Sequence, residues 1–166
     1  MNRYDAYAVA AVAVEEAVRH DRAVQDVLGR RIAVENSTWY TNIGDMPEPD
    51  CLSAVVERAD CGILLDLNNI AVNFKNHGRV NVPEFLKRIE LSRVTSLHVA
   101  GHEFDARFGL YVDTHSQPVA SDTRLAALDL RQRLGLPILL EWDNDLPDAG
   151  TINRELICLH SMTTSG

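Results

Sequence analysis

Cys61-Gly62-Ile63-Leu64-Leu65-Asp66-Leu67-Asn68-Asn69 is the stretch that decides the fold. Its apolar run is too short for a buried helix and is apolar on both faces of an extended chain. A strand reads this way when a parallel sheet is covered on both sides. The run then stops on a carboxylate. The same form recurs outward: Ile32-Ala33-Val34 before it, then Val94-Thr95-Ser96-Leu97, Gly109-Leu110-Tyr111-Val112 and Pro137-Ile138-Leu139-Leu140 after it. Helix-like segments lie between these runs, at roughly 6–28, 49–59, 82–90, 121–134 and 148–160. Gly29 and Gly135 fall just past two of them, where a helix C-terminus wants a left-handed residue. Pro83 and Asp122 fall near helix starts. The order α-β-α-β-α-β-β-α-β-α predicts an α/β protein with a mainly parallel sheet. Only the step from the third run to the fourth lacks a clear helix.

The bulk numbers frame this reading. The chain has 166 residues, 46% hydrophobic and 24% charged, which suits one folded domain spanning 1–166. A net charge of -8 with no basic stripe argues against nucleic acid or anionic membrane as a partner. No apolar run approaches the ~20 residues needed to cross a bilayer. The Ala/Val-rich N-terminus is interrupted by Glu15 and Glu16 and reads as an amphipathic helix rather than a signal peptide. Three cysteines (Cys51, Cys61, Cys158) without CxxC spacing indicate neither a disulfide framework nor a zinc ribbon, so a reducing cytoplasm is the expected compartment.

The ends of the runs carry the chemistry. The first leads into Glu35-Asn36, the second into Asp66 and Asn68-Asn69, and the third ends at His98 with His102 four residues on. The fourth gives Asp113-Thr114-His115 and the fifth Glu141-Trp142-Asp143. Ligands and reactions gather at the carboxyl ends of parallel strands. Carboxylates crowded there repel unless protonated or neutralised by a cation. Mixed carboxylate and imidazole donors suit iron, manganese or zinc. Asp113 and His115, at i and i+2 of an extended strand, would face the same side. The donors exceed what one zinc needs, so more than one metal is expected. His77, His20 and His160 read as structural.

Six motifs in this order carry a family resemblance: Glu35-Asn36-Ser37, Cys61 to Asn69, Asn76-His77-Gly78, His98-Val99-Ala100-Gly101-His102, Asp113-Thr114-His115 and Glu141-Trp142-Asp143. Together they resemble the multinuclear non-haem iron oxidases of the methanobactin-biosynthesis type, long catalogued as an uncharacterised bacterial protein family. The resemblance implies a xylose-isomerase-like (β/α) barrel of eight strands with two or three iron ions at its C-terminal rim. It implies an enzyme that oxidises cysteine in ribosomally made precursor peptides with dioxygen, helped by a small peptide-presenting partner protein. Carried over motif by motif, Glu35, Asp66, His98, Asp113, His115 and Glu141 would ligate metal. Asn36, Asn68, His102 and Asp143 would support them or meet substrate.

The length departs from that pattern, because a (β/α)₈ domain typically takes about 250 residues. The chain resembles only the last five strands of such a barrel, without the earlier motifs that supply further histidines. Three outcomes follow: a second copy or another polypeptide completes the barrel, the chain is a truncated product with weakened activity, or it folds poorly alone. Two further readings stay open. One is a divalent-metal isomerase or hydrolase on the same barrel type. The other is a non-catalytic remnant or assembly subunit.

Overall fold

The structure is a computed structural model that describes residues 3–41 and 46–160, with side chains described from residue 11 onward. The ends of the expected 1–166 domain lie outside the described residues. Four strands form one parallel sheet in the order β1 (Ala33–Glu35), β2 (Gly62–Asp66), β3 (Val94–Val99) and β6 (Ile138–Leu140). Helices α1 (Arg3–Leu28), α2 (Glu48–Ala59), α3 (Leu67–His77), α4 (Val82–Leu86), α5 (Ser121–Leu134) and α6 (Ala149–His160) make the rest of the framework. A short antiparallel hairpin, β4 (Glu103–Asp105) with β5 (Leu110–Val112), stands apart from the sheet.

That hairpin corrects the expected strand count. The run 109–112 is a strand, but not one of the parallel sheet. A parallel crossover needs a dozen or more residues, usually with a helix, whereas a short connection permits only an antiparallel return. Gly109, at φ 65°, closes the turn and donates its N–H to the Asp105 carbonyl at 2.8 Å. The described sheet therefore holds four parallel strands, not five, an arrangement compatible with part of a barrel.

Strand alternation sorts the sheet into two faces. Val34, Ile63, Leu65, Leu97, Val99, Ile138 and Leu140 face the helices and join the hydrophobic core. The register sets Ala33 beside Gly62, Glu35 beside Leu64, Asp66 beside His98, and His98 beside Leu139 on the other face. That second face is thinly covered: Ala33 is exposed and Leu139 is 51% exposed. One face is a core and the other carries the polar rim.

A second correction concerns α3. Asn68 and Asn69 were expected at a strand end, with the next helix near residue 82. A helix instead starts at Leu67, directly after β2, and Asp66 caps it by accepting from the Asn69 N–H at 2.8 Å. Asparagine is a poor helix former. Here its cost is offset by tertiary bonds: Asn68, Asn69, Asn73 and Asn76 each hold a neighbouring segment through the side-chain amide. The expected helix at 82–90 is shorter, ending at Leu86, and begins with a capping box between Asn81 and Glu84. The helix at 121–134 has the expected limits, and Gly135 closes it at φ 68°.

Candidate metal centre

Two hydrogen bonds anchor the rim at its base. The Asn36 side-chain amide donates to the Asp66 carbonyl and accepts from the Asp66 N–H, both at 2.9 Å. These bonds extend the pairing of β1 and β2 past Glu35 and fix where Glu35 and Asp66 emerge. Asn36 is 2% exposed and Asp66 wholly buried. In turn, the Asn69 amide donates to the Asn36 carbonyl at 2.9 Å.

Above this base, Glu35, Asp66, His98 and Glu141 each bring a donor atom within 4.8 Å of the others. His98 Nδ1 lies 2.7 Å from Glu141 Oε1 and 3.3 Å from Glu35 Oε1. A second group, His115, Glu141 and Asp143, meets the same spacing. His115 Nδ1 lies 3.3 Å from Glu141 Oε2 and 3.1 Å from Asp143 Oδ2. Its Nε2 lies 2.9 Å from Asp113 Oδ1. Glu141 thus turns one oxygen to each group.

The expected Asp113–His115 pairing holds, but its cause differs. β5 ends at Val112, and His115 is not extended: its backbone sits at φ 48°, in the left-handed region. Such a conformation costs roughly 1–2 kcal/mol in an L-residue and persists only where surroundings enforce it. The enforcing contacts are present. His115 N–H donates to the Gly101 carbonyl at 3.0 Å, and the His115 carbonyl accepts from the Asp143 N–H at 2.9 Å. Gly101 permits the approach, because a Cβ there would lie 1.9 Å from the Gln117 carbonyl oxygen.

The titration states show strain of another kind. Burial pushes the Asp66 carboxyl up to about 7, and the charges of Asp113 and Glu35 add to this. Glu35 is raised by burial and by Glu141. Burial also works against Asp113, yet His115, Thr38 and Asn68 outweigh it and hold that carboxyl below its ordinary value. The Asp113 carboxylate, 2.9 Å from the ring, raises His115 to about 9. Asp66 Oδ2, His98 Nδ1 and His115 Nε2 are buried without an aligned hydrogen-bond partner. Buried polar atoms are nearly always satisfied. Asp66 and His98 share one group of donors, whose oxygen and imidazole nitrogen atoms fit a divalent cation in chemistry as well as in spacing.

Of the expected supporting residues, Asp143 sits beside His115 with its side chain 66% exposed. Asn68 and His102 stand behind Asp113: Asn68 Nδ2 donates to Asp113 Oδ1 at 2.6 Å, and His102 Nδ1 lies 2.7 Å from Asn68 Oδ1. Burial and the Lys75 charge lower the His102 pKa. Sequence reasoning missed Thr38, whose hydroxyl lies 2.6 Å from Asn69 Oδ1 and 3.0 Å from Asp113 Oδ2. Its place three residues after Glu35, in the same rim loop, was the available signal. Missed as well was Glu48, raised by burial and held by Trp39 Nε1 and Asn73 Nδ2. His77, expected to be structural, stacks its ring on Trp39 at 3.8 Å.

The family model described as RiPP precursor modification enzyme MbnB/TglH/ChrH matches residues 6–164. A UPF0276 protein of Neisseria meningitidis serogroup C is 45% identical over 147 residues, covering 86% of this chain and 52% of the relative. Those of Anaeromyxobacter sp. (strain Fw109-5) and Shewanella loihica are 39% and 38% identical, with 85% and 90% of this chain and 51% and 55% of each relative covered. The chain spans about half the length of the curated relatives it matches. Among the described residues, no helix is long and apolar enough to cross a membrane. The chain belongs to the MbnB/TglH/ChrH family of enzymes that modify the precursors of ribosomally synthesised, post-translationally modified peptides.

Proposed function

We propose that this chain carries the C-terminal part of a non-haem iron centre that oxidises cysteine in a ribosomally made precursor peptide with dioxygen. The observation that carries the reading is the convergence of Glu35, Asp66, His98 and Glu141, with buried Asp66 Oδ2 and His98 Nδ1 lacking an aligned hydrogen-bond partner. Glu35, Asp66, His98, Asp113, His115 and Glu141 would hold the metals, with Glu141 shared between two of them.

Iron bound there would supply a site for thiolate coordination and electron transfer to dioxygen. The chain's own part is positioning and charge. Asn36 and Asn69 fix the carboxylates from below, so little reorganisation is needed when a cation arrives. Asp66 and His115 give up protons to admit it, which ties metal affinity to pH. The thinly covered inner face, with Ala33 and Leu139 exposed, supports an arrangement in which further strands pack against this sheet to complete a barrel. A small partner protein would present the peptide at this rim, in the cytoplasm.

Anaerobic reconstitution with Fe(II), followed by metal analysis, tests the centre. Oxygen uptake with a cysteine-containing precursor peptide tests the reaction. Iron retained by the native chain and lost in Asp66→Asn and His98→Ala is expected. A chain that takes up no iron under these conditions overturns the reading. Preferential magnesium or zinc binding without oxygen uptake would favour a hydrolase or isomerase instead.

A further inference from the structure

Behind Asp113 runs a line of hydrogen bonds whose direction is fixed at both ends. The ionised Asp113 carboxylate can only accept, so the group 2.6 Å from its Oδ1 is the Asn68 amide nitrogen. The amide oxygen must then face His102 Nδ1, at 2.7 Å, and an amide oxygen also only accepts. His102 Nδ1 therefore bears hydrogen. The other ring nitrogen, Nε2, lies 2.6 Å from Lys75 Nζ, and an ammonium can only donate. Nε2 therefore presents its lone pair. Turning over the amide, or moving the ring hydrogen from Nδ1 to Nε2, would set donor against donor or acceptor against acceptor along the line.

The same turn of α3 also sets the backbone that leads to Asp113. Asn76 bonds both the N–H and the carbonyl of Tyr111, each at 2.8 Å. The Tyr111 ring meets the His102 ring edge-on at 5.8 Å and carries the Lys75 ammonium 5.0 Å above it. On the far side, Thr38 Oγ1 lies 3.0 Å from Asp113 Oδ2. The Thr38 hydroxyl has one hydrogen to divide between Asp113 Oδ2 and Asn69 Oδ1, so the Asn68 amide is the firmer hold on the Asp113 carboxylate.

We propose that Lys75 and His102 are positioning residues, which act through the Asn68 amide to lock the Asp113 carboxylate toward His115. Neither touches the groups that converge at the rim. Lys75 donates inward, His102 passes the polarity on, and Asn68 delivers a hydrogen to Asp113. The effect on metal rests on the centre proposed above; the hydrogen-bond direction does not.

The test uses the full chain with ¹⁵N-labelled histidine. A long-range ¹H–¹⁵N correlation spectrum near neutral pH should show His102 as one neutral tautomer, protonated at Nδ1. In Lys75→Met that single tautomer should give way to a mixture, while Mn(II) affinity, read by electron paramagnetic resonance, falls roughly tenfold. Lys75→Arg, which keeps the donor, should restore both. Lys75 is exposed, so the fold should tolerate each change. A His102 protonated at Nε2 in the native chain overturns the proposal. So does a Lys75→Met variant that keeps both the native His102 spectrum and the native affinity. Failure of the native chain to bind Mn(II) would count against the metal centre, leaving the tautomer to decide the positioning.

Discussion

Asp66→Asn separates what the rim does for stability from what it does for a metal. Asp66 is wholly buried and its carboxyl is raised to about 7 by burial, with Asp113 and Glu35 adding their charge. The folded chain therefore keeps a proton that the unfolded chain, with an ordinary carboxyl near 4, has already released. Stability from this group is complete below about pH 4 and is lost as pH rises toward about 7. At about 1.4 kcal/mol per pH unit, and with the group half-ionised by pH 7, the interval from pH 5 to pH 7 removes about 2 kcal/mol from the metal-free native protein. Asparagine has nearly the same shape, keeps an oxygen for the Asn69 N–H, and has no charge to bury. The stability advantage of the variant should thus grow by about 3 kcal/mol between pH 5 and pH 8.

Urea denaturation in chelator at several pH values measures that difference. Because it compares one variant with itself across pH, any fixed cost of fitting the amide cancels. Saturating Fe(II) under anaerobic conditions should reverse the order, adding about 2.7 kcal/mol to the native protein at a hundred times the dissociation constant and nothing to the variant. A stability difference that stays flat from pH 5 to pH 8 would refute the argument that Asp66 is a buried carboxyl in tension.

Other changes should act through different terms. Asn36→Ala removes both side-chain bonds to the Asp66 backbone and should cost about 2–3 kcal/mol in denaturant, and a loss under about 0.5 would deny Asn36 its place as an anchor. Gly101→Ala sets a methyl group against the Gln117 carbonyl, so the loop carrying His115 must move; thermal unfolding should drop by several degrees and metal affinity should fall with it. His115, raised to about 9 by Asp113, adds stability to the metal-free chain that is complete below about pH 6.5 and is lost as pH rises through about 9. His115→Gln should abolish that alkaline decline, and a decline of unchanged size would point to another group.

Much of the site was legible because short β-branched runs ending in acids or histidines have few other meanings. Glu35, Asp66 and His98 follow from that pattern, and Glu141 stands one residue past β6. What escaped was set by tertiary contact. Helix α3 opens with Leu67-Asn68-Asn69, and local propensity gives no reason to start a helix there. Its asparagines make sense only once β1, the hairpin and the rim loop are in place to receive their bonds. The run 109–112 looked like its neighbours, since period alone cannot tell a parallel strand from half of a hairpin. The short connection before it was the better guide. Nor could spacing foresee that His115 reaches Asp113 through a left-handed turn rather than along a strand.

The open inner face bears on how the rim works. Glu35 lies on the edge strand β1, with its side chain 40% exposed, while Asp66, one strand inward, is fully buried. The two carboxylates belong to one cluster but sit in different dielectric surroundings, and only the inner one is pushed as far as neutrality. Strands set against β1 and β6 would cover Ala33 and Leu139 and draw water away from Glu35. Coulomb repulsion among Glu35, Asp66 and Glu141 would then strengthen as the effective dielectric falls. The demand for a cation would rise with it. Closure of the sheet and loading of the proposed centre would therefore be coupled: each additional carboxylate buried would make the metal-free rim less stable and a metal-bound rim more favoured.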